Sequence, residues 1–178
     1  MSDPLTVLYQ DAHVLAVVKP AGLLTQGVTG GEPTLEDSVR TYLTPRAPSS
    51  APVYLGTVHR LDRPVSGVVL WALTPRAARR LSAEFATRAV VKEYWAVVEC
   101  HSPPAPSGVW DDWLNDTADA SGVVRAVGAD APGARRAVTR YRSESAGTLP
   151  EGAAWLRLWP ETGRTHQLRA QAALRGLP

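Results

Sequence analysis

The sequence has almost no cysteine and no long apolar run. Of its 178 residues only Cys100 is a cysteine, so an internal disulfide is excluded and nothing indicates a thiolate zinc site. Because cysteine usage gives no sign of an oxidising compartment, we expect a cytoplasmic protein. No stretch approaches the roughly 18 consecutive apolar residues of a membrane span, so neither secretion nor membrane insertion is expected.

Charge of one sign is also scarce, since the formal net charge is only +2 at pH 7. Many soluble enzymes share such a value, which therefore does not indicate nucleic-acid binding by itself. Clustered basic side chains could still neutralise phosphates, and the alternative is that they lie on solvated faces of helices and strands. The clusters are Arg76, Arg79, Arg80, Arg88 and Lys92; Arg135, Arg136, Arg140 and Arg142; and Arg164, Arg169 and Arg175.

Apolar residues, by contrast, make up 44% of the chain and are spread along its whole length. That is enough for one core, so we expect a single domain over residues 1–178. Gly67–Leu73 is almost continuously apolar, and it should therefore be a central strand. The predicted strands are Leu5–Tyr9 and Val14–Val18, which form an antiparallel pair, then Gly67–Leu73, Val90–Val98, Ala137–Tyr141 and Trp155–Trp159.

Apolar residues at helical spacing predict helices between these strands. Thr34–Leu43 begins with a cap residue, and Asp37 follows three positions later, as in a capping box. Thr74 and Pro75 form a cap and first-turn pair for a second helix that runs to about Arg88.

The last predicted helix is Thr165–Arg175, with Gly176 as its stop. Loops are predicted at residues 45–52, 103–106 and 116–132, where proline, glycine, serine or alanine accumulate. Several links between strands are too short for parallel crossovers. We therefore expect an α+β domain with a mixed, mostly antiparallel sheet and flanking helices and loops.

A polar loop, His59–Gly67, precedes the strand that we predict to be the most buried. Asp62 lies there between Arg60 and Arg63, and neighbouring guanidinium groups favour the ionised carboxylate. An ionised aspartate can act as a nucleophile or a base at neutral pH. The alternative is a salt-bridged loop aspartate without a chemical role.

Two other segments combine polar and aromatic groups. Gly163–Arg169 leads from a glycine turn into the last helix, where most helical neighbours of Arg169 are apolar. An arginine on that side would be partly buried and would need an anion, which an aspartate could supply; the alternative is surface charge. His166 could equally be a structural histidine. Tyr94 could stack on a base, relay a proton or pack in the core.

Four segments, in this order, resemble motifs of the RluA family of pseudouridine synthases. Lys19–Gly22 is similar to the family's Lys-Pro-x-Gly turn, and His59–Gly67 to its His-Arg-Leu-Asp signature, which ends in a small hydroxylated residue and glycine. Lys92–Tyr94 resembles its Lys-x-Tyr strand, and Gly163–Arg169 its Gly-Arg-Thr-His-Gln-Leu-Arg segment. The resemblance extends from about Leu5 to Gly176.

The resemblance implies three catalytic residues: Asp62 as the catalytic aspartate, Arg169 as its ionic partner and Tyr94 packed against the uracil. The arginine at position 60 would help to displace the flipped nucleotide. The substrate-binding residues implied by the motifs are Arg60, His59, Arg164, Thr165, His166 and Leu168.

The implied reaction breaks the N1–C1′ bond of a uridine, turns the bound uracil and rejoins it through C5. Whether Asp62 attacks the sugar or removes a sugar proton stays open. No metal, redox group or nucleotide cofactor is needed. The implied partner is RNA, as an rRNA or tRNA stem-loop, because partly unstacked loop bases lower the cost of flipping a uridine. We expect a monomer.

The chain departs from the family pattern after Leu177 and Pro178, where members usually continue with a Gly-Asp-x-x-Tyr-Gly stretch and further strands. We therefore expect a catalytic domain over residues 1–178 that is incomplete at its C-terminus. Selection of the RNA site would then depend on Arg76–Lys92 and on the loops around Trp110 and Trp113. The alternatives are a catalytically inactive RNA-binding protein on the same scaffold and a glycosidic hydrolase, which would need a second carboxylic acid.

Overall fold

The computed structural model describes residues 5–27, 31–44, 53–115, 123–144 and 149–178. They group into two compact units, Met1–Ala89 and Val90–Pro178, each with one four-stranded sheet. All strand pairs of the two sheets are antiparallel, and helices accompany both sheets. The predicted α+β class with antiparallel pairing is confirmed, although the strands form two sheets instead of one. A single catalytic domain over residues 1–178 stays a prediction.

The sheet of the first unit has the strand order β1-β2-β4-β3. The predicted antiparallel pair forms as β1 and β2, and the predicted central strand is β4, which lies between β2 and β3. Leu15 pairs with Trp71 and Val17 with Val69 across β2 and β4, and all four side chains are completely buried. The strands are β1 (Val7–Gln10), β2 (Val14–Lys19), β3 (Gly56–Thr57) and β4 (Gly67–Ala72).

Two helices of the first unit, α1 (Leu35–Leu43) and α2 (Pro75–Ala86), begin at the predicted caps. The Thr34 hydroxyl accepts from the Asp37 amide, and the Asp37 carboxylate accepts from the Thr34 amide, which completes the capping box. Thr74 caps α2, which packs against β3 and β4. The predicted loop at 45–52 lies outside the described residues.

The sheet of the second unit has the order β5-β8-β7-β6. β5 begins four residues later than predicted, and β7 is longer than predicted. The Trp-bearing β6 was missed because apolar side chains stand on both of its faces: Trp110 and Leu114 are buried, while Val109 and Trp113 are exposed. No period of two is visible in such a strand. The strands are β5 (Tyr94–Glu99), β6 (Ser107–Asn115), β7 (Ala134–Glu144) and β8 (Ala153–Pro160).

Helix α3 (Gln167–Ala173) begins two residues later than predicted, because His166 has the left-handed φ of 48° and does not continue a helix. Gly176, with a φ of 66°, ends the final turn as predicted. α3 contributes to the core of the second unit, which contains Val98, Trp110, Leu156, Leu158, Ala172 and Leu177.

The predicted loop at 103–106 contains no helix or strand. Of the predicted loop at 116–132, residues 116–122 lie outside the described residues, and Ala126 forms an isolated bridge with Leu114. Among the residues that the structure describes, no helix is long and apolar enough to cross a membrane.

Candidate functional site

Asp62 lies in the loop between β3 and β4, where its side chain is half-buried. Its carbonyl oxygen accepts a hydrogen bond from the Val65 amide at 3.1 Å, which closes a tight turn. β4 then begins at Gly67, whose φ of 149° favours glycine. A half-buried carboxylate at the start of a closed turn is accessible and has a defined backbone direction.

Lys19, at the end of β2, is hydrogen-bonded to this loop. It is completely buried, and its ammonium donates to the carbonyl oxygens of Pro20 at 3.0 Å, Leu23 at 2.7 Å and Arg63 at 3.1 Å. Burial lowers the pKa of Lys19, and the negative charge of Asp62 partly offsets this. The three bonds use all three ammonium donors, so the buried charge is satisfied and connects the two motif segments of the first unit.

His59 supports the same loop from its other end. Its Nε2 accepts from the Leu70 amide of β4 at 2.9 Å, which places the proton of the neutral ring on Nδ1. The ring also stacks on Phe85 of α2, with centroids 4.9 Å apart. These contacts favour a structural role over the predicted contact with substrate, which stays a prediction. Arg60, the next residue, is exposed.

Tyr94 is the first residue of β5 and is half-buried. Together with Leu168 it packs against the core of the second unit, so two of the predicted site residues meet the same apolar cluster. Lys92, two positions earlier, donates to the Thr162 carbonyl at 3.0 Å. The Lys-x-Tyr segment is thereby joined to the chain just before Gly163.

The 163–169 segment is shaped by the amide of Gln167. Its Oε1 accepts from the Arg164 amide at 3.0 Å and from the Thr162 hydroxyl at 2.7 Å, while its Nε2 donates to Val138 and Thr139 of β7. The turn that carries the predicted site residues is thus fixed to the sheet. Within it Arg164 and His166 are half-buried and Thr165 is exposed.

Arg169 is exposed, which agrees with the surface-charge alternative and not with a partly buried arginine. The buried residues of α3 are Gln167, Gln171 and Ala172, so two of the three are polar. Glutamine can face the core here because its amide is fully bonded to the sheet, so an apolar count misplaces the buried face.

Gln171 is the residue that sequence reasoning missed in this unit. It is completely buried; its Oε1 accepts from the Thr139 hydroxyl, and its Nε2 donates to Asp112 and to the Ala137 carbonyl. The available signal was its spacing, since Gln171 follows Gln167 by one helical turn.

The basic cluster at 135–142 is largely neutralised by neighbouring acids. Arg136 forms a bidentate pair with Asp111, and hydrogen bonds from that guanidinium hold the pKa of Asp111 below its usual value. This arrangement favours the solvated-face interpretation over phosphate binding. Two further arginines of the same strand, Arg140 and Arg142, pair with Glu161 and Glu144.

The Trp110 ring lies in the core of the second unit, and the predicted role of the loops around it in selecting the RNA site stays a prediction. Trp110 is 2% exposed and stacks on Tyr141 inside the core, with ring centroids 4.9 Å apart. Trp113 is exposed, and so are Arg76, Arg79 and Arg88 around α2. Among the described residues, no group of three or more histidine, cysteine or acidic side chains is placed to hold a metal ion.

Comparison with known proteins places these segments in a family context. A family model described as RNA pseudouridylate synthase matches residues 13–174. The chain is 37% identical over 173 residues to tRNA pseudouridine synthase C of Pectobacterium carotovorum, covering 93% of this chain and 44% of that protein. It is 36% identical over 179 residues to the dual-specificity RNA pseudouridine synthase RluA of Escherichia coli K12, covering 98% of this chain and 74% of RluA.

A solved structure agrees with the sequence comparisons. Human RNA pseudouridylate synthase domain containing 4 is 30% identical and superposes with a TM-score of 0.75, covering 97% of this chain and 64% of that structure. The chain therefore spans less than two thirds of the human structure and less than half of synthase C.

Proposed function

The chain belongs to the RNA pseudouridylate synthase family as an RluA-type member, and we propose that it isomerises uridine to pseudouridine in RNA with Asp62 as the catalytic carboxylate. The observation that carries this proposal is the state of the Asp62 loop. The half-buried Asp62 directly precedes Arg63, whose carbonyl oxygen accepts a hydrogen bond from the completely buried ammonium of Lys19. Such pre-organisation suits a group that must meet one sugar carbon in a fixed direction.

The proposed reaction is an isomerisation in which the atoms of uridine are conserved. Asp62 either attacks C1′ or removes a sugar proton, and the N1–C1′ bond breaks. The bound uracil turns, C5 bonds to C1′, and the C5 proton is lost while N1 gains one. Neither route calls for a change of oxidation state, a group donor or a nucleotide cofactor.

The remaining roles follow the family motifs. We propose that Tyr94 packs against the uracil and that Arg169 pairs with Asp62. Arg60 is exposed, as expected of a side chain that fills the space of a flipped nucleotide. Substrate binding by the other motif residues is proposed for His59, Arg164, Thr165, His166 and Leu168.

The proposed substrate is a stem-loop of rRNA or tRNA. One relative is by name a tRNA pseudouridine synthase and another a dual-specificity enzyme. Extruding a uridine from a helix costs a few kcal/mol, and a loop base costs less. Exposed arginines around α2, namely Arg76, Arg79 and Arg88, are proposed to contact phosphates. We further propose one catalytic domain over residues 1–178, acting as a cytoplasmic monomer.

Tritium release tests the function directly. RNA transcripts that carry tritium at uridine C5 lose it to water only when C5 forms the new bond to C1′. We expect release by the wild-type protein, and Asp62→Asn should lower it by at least about 10³-fold, as the loss of an essential catalytic group does, while RNA binding stays within about twofold. Asp130→Asn, at an exposed loop carboxylate outside the four motif segments, is the control and should be unchanged.

Two other outcomes would each support an alternative. Binding of RNA with steep salt dependence but no tritium release from the wild type would favour an inactive RNA-binding protein. Free uracil as product would favour a hydrolase. Substantial turnover by Asp62→Asn would remove Asp62 from the reaction.

A further inference from the structure

We infer that Thr25 is a positioning residue for Asp62: its buried hydroxyl holds the backbone of Leu61 and so aims the carboxylate that follows. Thr25 lies outside the four motif segments, and the inference rests on the proposed role of Asp62.

The Thr25 hydroxyl makes two hydrogen bonds to one residue that lies 36 positions further along the chain. Its Oγ1 donates to the Leu61 carbonyl at 2.8 Å and accepts from the Leu61 amide at 3.2 Å. Thr25 is 3% exposed and Leu61 is also buried, so water does not replace the hydroxyl readily. A single side chain therefore satisfies both backbone polar groups of the residue that precedes Asp62.

These bonds act on Asp62 through the peptide bond. The Leu61 carbonyl belongs to the planar peptide unit that ends at the Cα of Asp62, so fixing the carbonyl fixes the plane that leads to that Cα. On the other side, the Arg63 carbonyl accepts from the Gly22 amide at 2.8 Å and from Lys19. Asp62 thus stands between two anchored residues, and its carboxylate direction depends on both anchors.

The backbone of Thr25 is in turn hydrogen-bonded to a helix. The Thr25 carbonyl accepts from the Glu36 amide in the first turn of α1, at 3.1 Å, and the Leu24 carbonyl accepts from Leu35 at 2.8 Å. The capped helix α1 therefore fixes the backbone of residues 24–25, and the Thr25 side chain fixes the Asp62 loop relative to that backbone.

The test compares variants in the full chain by turnover of C5-tritiated RNA. Thr25→Val keeps the shape of the side chain but removes the hydroxyl. We expect kcat to fall about 10- to 100-fold, as a misdirected catalytic group predicts, with KM and RNA affinity within about twofold. Thr25→Ser restores the hydroxyl and should stay within about threefold of wild type. Thr74→Val, which removes the hydroxyl that caps α2, should lower the melting temperature and leave kcat unchanged.

A Thr25→Val kcat equal to wild type overturns the inference, and so does a Thr25→Ser kcat as low as that of Thr25→Val. If Thr25→Val does not fold, Thr25→Ser and Thr25→Cys replace it, because a thiol is a much weaker donor than a hydroxyl. The serine variant should then turn over about tenfold faster, and equal rates overturn the inference. The activity of the wild type separates this inference from the proposed function. A wild type that releases no tritium refutes the proposed function. A wild type that releases tritium, together with a Thr25→Val variant of unchanged kcat, refutes only the positioning role of Thr25.

Discussion

The two units hold their motif segments by opposite chemical means. In the first unit, a buried ammonium, Lys19, joins the Lys-Pro-x-Gly turn to the Asp62 loop through three carbonyl oxygens. In the second unit, two neutral amides, Gln167 and Gln171, join α3 to β7. A buried charge is costly unless every donor is used, whereas a bonded amide carries no such penalty. The first anchor should therefore be the less tolerant of substitution.

The two motif lysines show the same contrast. Lys19 is completely buried, while Lys92 is half-buried and donates to the Thr162 carbonyl. Lys19 joins two motif segments, and Lys92 joins its segment to Thr162, just before the last motif segment. They differ in how much protein surrounds the charge, and the consequences of removing them should differ accordingly.

The largest expected effect is that of Lys19→Met. The substitution keeps most of the apolar stem but removes the ammonium, so the carbonyl oxygens of Pro20, Leu23 and Arg63 lose their hydrogen bonds from Lys19. We expect the free energy of unfolding, measured in urea, to fall by about 4 kcal/mol, since each unsatisfied buried group costs about 1–3 kcal/mol. Lys92→Met, the matched control, should lose about 1 kcal/mol, as for a typical hydrogen bond. Equal decreases in the free energy of unfolding for Lys19→Met and Lys92→Met would contradict the contrast between the buried and the half-buried lysine.

The next effect is that of Gln171→Glu, which replaces a neutral anchor by an acid. The new oxygen would face Asp112 Oδ2, which lies 2.7 Å from Gln171 Nε2, and the Ala137 carbonyl. Burial and the Asp112 charge should raise the folded-state pKa of the introduced carboxyl. Stability should therefore be nearly normal below the unfolded-state value of about 4.3 and fall by about 2–3 kcal/mol as the pH rises to 7.

Urea unfolding at pH 4 and pH 7 measures this effect. Gln10→Glu, at an exposed position of β1, serves as the control and should show little difference between the two. If Gln171→Glu lowers the free energy of unfolding equally at pH 4 and pH 7, then the shape of the side chain, and not its charge, determines the stability at this position.

The smallest effect concerns the exposed face of the second sheet. The Glu93 carboxylate accepts from Arg157 and from the indole nitrogens of Trp95 and Trp159, and the Arg157 bond is the main reason that the pKa of Glu93 lies below 4.5. These contacts persist above the ordinary pKa and are lost as the pH falls through the lowered one. Tryptophan fluorescence should therefore change below pH 4.5, with little change in melting, because exposed ion pairs stabilise weakly. Glu93→Gln should abolish the fluorescence transition. A transition that persists in this variant would have to come from another titrating group.

Features with local causes were predicted correctly. The capping box of Thr34 and Asp37 and the Thr74–Pro75 helix start depend on residues within one turn, and both form where expected. The family resemblance, carried by four short segments, is confirmed by the comparisons, as is the enzyme class. The roles of Asp62, Tyr94 and Arg169 stay predictions.

Burial is harder to predict than local structure, because distant parts of the chain decide it. Arg169 is exposed because Gln167 and Gln171, bonded to β7, turn that side of α3 inward. Trp110 stacks on Tyr141 in the core, while the predicted role of the loops around it stays a prediction. Neither outcome follows from the residues next to Arg169 or Trp110.

The amino-acid sequence by itself therefore determines the short-range features. Helix caps, the glycine that ends α3 and the motif segments can be predicted from it, because their partners lie within a few residues. The supports of the Asp62 loop are different in kind. Lys19 and Thr25 reach it across 44 and 36 positions. Only folding brings such groups within hydrogen-bonding distance and removes the water that would otherwise satisfy them.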